Sequence, residues 1–133
     1  MHSSLPIRTA CPPGACACGR ETLLADPRAD QRVLLLTKAE ENKLVERLES
    51  VETLAELRRM QVRMQDLLGL VVRIAPGPNE VHTMRGFEIR IEDMPGLCSK
   101  TRQAIPAAIR RGLQRRPEIA YALLNERDLL ADA

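Results

Sequence analysis

Three of the four cysteines fall within eight residues, Cys11-Pro-Pro-Gly-Ala-Cys16-Ala-Cys18. A thiolate metal site needs several sulfurs converging at about 2.3 Å on one ion, so its ligands often come from tight turns. Pro-Pro-Gly can reverse the chain between Cys11 and Cys16, and the small residues around Cys18 let the backbone wrap closely. Soft thiolates favour zinc, copper(I) or an iron–sulfur cluster over hard cations. Cys98 is the natural fourth ligand, with His2 and His82 as weaker candidates. The spacing lacks the paired C-x-x-C knuckles of zinc ribbons and the further C-x-x-C step of plant-type ferredoxins. The alternatives are unliganded thiols in a flexible leader, and a redox pair formed by Cys16 and Cys18.

Cys98 stands just before Ser99, where the sequence predicts a helix to start, with Lys100 and Arg102 nearby. Helix N-terminal partial charge and basic neighbours favour a thiolate, whereas the commoner fate of such a cysteine is burial as a small apolar side chain. A phosphate-binding C-x₅-R loop would need Arg where Ala104 stands. From Lys100 to Arg116 the chain carries Lys100, Arg102, Arg110, Arg111, Arg115 and Arg116 with no acid between them. Such a stretch can neutralise phosphates, which makes nucleic acid a second candidate partner and a protein a third. Phe87 and Tyr121 are the only aromatics, so there is no platform on which bases would stack. The alternative is a solvated helical face balanced by acids on the helices spanning 40–56. The histidines, serines and carboxylates form no catalytic constellation, and no phosphate-binding glycine motif is present.

The elements that must carry these residues follow from patterning. A chain of 133 residues, 44% apolar and 29% charged, fits one domain with an aliphatic core. Net charge of +2 specifies no partner. No apolar run approaches the roughly 18 residues of a membrane span, and Met1 to Pro13 lacks the apolar segment of a secretory signal. The expectation from these features is a cytoplasmic protein, whose thiols would stay reduced or bind metal.

Residues 1–20 read as a Cys/Pro/Gly-rich leader, flexible or ordered by metal, ahead of a single domain over 21–133. A turn of helix should end near Asp26-Pro27, and the apolar run 32–37 reads as a short extended segment. Thr37-Lys-Ala-Glu40 and Thr53-Leu-Ala-Glu56 are capping boxes, so helices are predicted near 38–49 and 53–68, the second ending at Gly69. Their short joint implies a helical hairpin. The period then falls to two: 70–75 is a strand, Pro76-Gly77-Pro78-Asn79 a turn, Gly86 a bulge, and Phe87, Ile89 and Ile91 alternate with Glu88, Arg90 and Glu92. A C-terminal helix pair follows, with Pro106 in the first turn of one helix and Pro117 starting the next. The expectation is an α+β fold with two or three antiparallel strands. The expected function is zinc or iron–sulfur binding by Cys11, Cys16, Cys18 and Cys98, and the rival is nucleic-acid or protein binding by the basic helical region.

Overall fold

The computed structural model describes residues 7–8, 19–76 and 87–132. The chain forms α1 (Arg20–Ala25), a 3₁₀ turn (Arg32–Leu35), α2 (Lys38–Glu49), α3 (Leu54–Leu68), β1 (Val72–Pro76), β2 (Phe87–Ile91), α4 (Ser99–Arg115) and α5 (Pro117–Asp132). This is the α+β architecture that the patterning requires. Among the described residues the sheet has two strands, and no helix is long and apolar enough to cross a membrane.

Both capping boxes work at their first half. The hydroxyl of Thr37 accepts from the Glu40 N–H at 3.3 Å, and that of Thr53 from the Glu56 N–H at 3.1 Å. The returning half differs. Glu56 accepts from the N–H of Glu52, one residue before the cap, and Glu40 turns to Lys43 at 3.8 Å. α3 stops at Gly69, whose φ of 73° is left-handed and whose N–H reaches the Gln65 carbonyl at 3.0 Å. Arg32 completes this end by donating to the carbonyls of Gln65 (3.3 Å) and Asp66 (2.9 Å), while Asp30 holds its guanidinium at 2.7 Å.

The two strands pair antiparallel with Val72 opposite Ile91, Ile74 opposite Ile89 and Pro76 opposite Phe87. The alternation read from the sequence therefore places Val72, Phe87, Ile89 and Ile91 in the core. On the other face Arg73 lies opposite Arg90, and Arg73 offsets that like-charge pair by bonding Glu92 at 2.8 Å. The 76–79 turn and the Gly86 bulge lie outside the described residues.

Two local expectations are corrected. The 32–37 run is not an extended segment: Arg32–Leu35 form the 3₁₀ turn. Val33, Leu34 and Leu36 are all buried, and an apolar run buried on every side carries no period that separates strand from helix. Pro106 does not open a helix; it lies inside α4, which begins at Ser99. Thr101, Ile105, Ala108, Ile109, Gly112 and Leu113 form one buried stripe running through it. Burial of that stripe outweighs the local cost of proline, about 3 kcal/mol in a helix interior.

Packing around α2 is uneven. α2 lies along α4, whereas α3 rests on the 3₁₀ turn, α5 and β1. At the α2–α4 seam Leu48 and Val51 are buried, and a Cβ on Gly112 would sit 2.6 Å from the Leu48 carbonyl oxygen. The buried Thr101 hydroxyl donates to Glu41 across the same seam. The α2–α3 joint is as short as expected, but the two helices stand apart and leave an open cleft.

Candidate functional site

Of the four predicted thiolate ligands, only Cys98 lies among the described residues. It is 9% exposed and occupies the N-cap of α4, where its carbonyl accepts from the Arg102 N–H at 2.9 Å. Cys11, Cys16 and Cys18, together with His2 and His82, lie outside. Among the described residues no three His, Cys, Asp or Glu side chains group as metal ligands.

The ends of the cysteine segment are nonetheless placed. The Arg8 N–H donates to the Leu34 carbonyl at 2.7 Å, and Arg20 Nε donates to the Arg8 carbonyl at 2.9 Å. The two residues that flank this segment, Arg8 and Arg20, are therefore held side by side. Both, which the sequence reading assigned to the leader, belong to the folded body. Leu34 also borders the turn before α4. A Cβ on Gly96 would lie 2.6 Å from Leu23 Cδ2, 2.9 Å from Val33 Cγ1 and 3.8 Å from Leu34 Cδ2. Cys98 follows two residues later, within about 7 Å of Gly96 along the chain.

The basic residues of the rival reading do not share one face. Arg102 pairs with Asp93 at 3.2 Å at one end of α4, and Lys100 is exposed beside it. Arg110 turns toward the sheet and donates to the Phe87 carbonyl at 3.2 Å. Arg111 is bound to the Glu49 carboxylate, with its Nε at 2.7 Å. Arg115 reaches the Glu49 carbonyl at 3.4 Å, and Arg116 lies 3.8 Å from Glu52. A phosphate at this surface would have to displace Asp93, Glu49 or Glu52.

A feature that the sequence reading did not anticipate is the cleft between α2 and α3, about 460 Å³ in volume. α2 contributes Glu40, Lys43, Leu44 and Arg47, and α3 contributes Met60, Arg63, Met64, Leu67 and Leu68. Leu35 of the 3₁₀ turn, with Leu36 and Thr37 after it, closes one end. Leu67 remains 56% exposed at the lip. The signal was present as a repeated spacing: 40, 43, 44, 47 on one helix and 60, 63, 64, 67 on the other each mark one stripe two turns long. It went unseen because stripes at that spacing imply helices packed on each other.

A smaller hollow of about 260 Å³ has Asp30, Glu92 and Asp93 at its rim. Each of these carboxylates is already paired, with Arg32, Arg73 and Arg102 respectively. Hydrogen bonds from the Arg32 side chain, and then from its backbone, hold the Asp30 carboxyl down at about 2.

Compared with protein-family models, with curated proteins and with solved structures, the chain matches none of them.

Proposed function

We propose that the protein binds a thiophilic metal, zinc or an iron–sulfur cluster, through Cys11, Cys16, Cys18 and Cys98. The observation that supports this reading is the tether formed by Arg8, Leu34 and Arg20. A free leader would have to lose most of its chain entropy to gather three thiolates. A segment closed at its base has already lost part of it, since closure entropy depends on bringing the ends together. Half of a ten-residue loop spans at most about 17 Å, and Cys98 lies on the layer to which the base is tied. The donor set is soft and suits these metals. Bound metal would cross-link the segment to the start of α4, which is the chemistry of a structural site.

The test is elemental analysis of protein purified without added metal, followed by chelation and titration with zinc(II) or with anaerobic iron and sulfide. About one zinc, or one cluster, per chain is expected, with loss of order in 10–20 on chelation, since binding free energy supplies the folding of such segments. The triple variant Cys11→Ser/Cys16→Ser/Cys18→Ser should lose the metal, and Cys98→Ala should weaken it. Metal-free protein that gains neither structure nor metal on titration would end this reading.

A further inference from the structure

The α2–α3 cleft carries an inference independent of the metal. Its rim holds three cations, Lys43, Arg47 and Arg63, against one acid, Glu40. Lys43 lies 3.8 Å from Glu40, so that pair is matched internally. Arg47 and Arg63 make no ion pair among the described residues, whereas Arg102 and Arg111 on α4 and Arg116 just after it each have a carboxylate. The floor is half-buried Leu44 with Met60 and Met64, which are buried to 6% and 2% exposure, and Leu67 stands exposed at the lip. Methionine is unbranched and polarizable, and it adapts to varied apolar surfaces.

Length and openness narrow the occupant. Seven residues at 1.5 Å each make the cleft about 10 Å long. That matches the distance between side chains i and i+7 of a docked helix, which would place i, i+3 or i+4, and i+7 in the groove. A small-molecule site would enclose most of its ligand, and this cleft is open to solvent at Leu67. A second copy related by a two-fold axis would set the cationic rim against itself, and like charges facing each other are costly. We infer that the α2–α3 cleft docks an amphipathic helix of a partner protein, with its apolar stripe on Leu44, Met60, Met64 and Leu67 and its flanking Asp or Glu residues on Arg47 and Arg63.

The probe is a displayed library of helical peptides of about sixteen residues, or four turns, with Leu fixed at i, i+4 and i+7 and the flanking positions varied among Glu, Lys, Ser and Ala. It is selected against the full chain. Selected peptides should carry Glu at the flanks and shift the methyl resonances of Met60 and Met64. Arg47→Gln/Arg63→Gln should weaken them at least about ten-fold, in a salt-dependent way, and Leu67→Glu by a similar factor. Arg47→Glu/Arg63→Glu should transfer the preference to Lys-flanked peptides, a gain that unfolding could not produce. Several outcomes would overturn the inference: no enrichment, Lys-flanked winners on the native chain, or binding indifferent to both arginines and Leu67. So would methyl shifts produced by dodecanoate and not by peptide, or a dimer in sedimentation that Leu67→Glu dissolves.

Discussion

α2 has two sides that were built differently. Toward α4 it is closed: Leu48 is fully buried, Gly112 leaves no room for a Cβ, and Thr101 ties across to Glu41. Toward α3 it is open, with Leu44 half-buried, Leu67 exposed and two arginines without ion pairs among the described residues. The same three-and-four spacing writes both sides, but toward α3 it carries Glu40, Lys43 and Arg47 around a single Leu44. What separates them is what stands opposite. α4 presents Ala108 and Gly112, small enough for backbones to approach, whereas α3 presents Met, Leu and Arg. One face of the helix is sealed into the fold, and the other lines an open cleft.

The sharpest way to break this contrast is to truncate leucines on either side. Leu48→Ala should cost about 2–5 kcal/mol, because it removes contacts at a site that cannot collapse fully. Leu67→Ala should stay within about 0.5 kcal/mol, as exposed positions do. Chemical denaturation of both variants reads the difference, and equal losses would mean that the cleft is as much core as the seam.

Gly112→Ala probes the seam alone. The new methyl would meet a backbone oxygen at 2.6 Å, and no rotamer relieves that contact, so the helices must separate. A net loss of about 1–3 kcal/mol is expected, exceeding the gain of roughly 1 kcal/mol from helix propensity. A stabilised variant would show that the seam is looser than described.

The smallest effect concerns Asp30, whose partner Arg32 caps the end of the helix that forms the cleft. Asp30 titrates at about 2 when folded against 3.8 as a free carboxyl. The folded state therefore binds this proton less readily. Its contribution is complete above about pH 4 and disappears as pH falls toward 2. Asp30 is 43% exposed, so solvent screening limits the contribution to less than about 1 kcal/mol. Asp30→Asn should flatten that part of the stability–pH curve, and an unchanged curve would remove the clamp as a stabilising feature.

Much of the fold was legible because local chemistry and tertiary packing agree. Thr37 and Thr53 start their helices, Gly69 ends one, and the alternation from Phe87 to Ile91 buries one face. The sequence misled where tertiary burial overrode a local signal. Pro106 marks a helix start by its own chemistry, yet the stripe from Thr101 to Leu113 continues through it. The 3₁₀ turn was illegible because Val33 and Leu34 are buried together without a period. Neighbour relations were the hardest to read. A capping box tells where α2 begins and nothing of whether α3 or α4 lies beside it. Of the candidate metal ligands, the sequence names all four, and the described residues place Cys98 and the two ends of the segment carrying the others.

The Arg8–Leu34–Arg20 tether has a consequence for how this protein can vary. The hydrogen bonds from Arg8 to Leu34 and from Arg20 to Arg8 hold the two ends of 9–18 together, whatever the length of chain between them. Lengthening such a loop is inexpensive: each doubling adds about 0.6 kcal/mol of closure entropy. Substitution at Gly112 has no such latitude. Length between Arg8 and Arg20 can therefore vary more cheaply than a single methyl can be added at the α2–α4 seam.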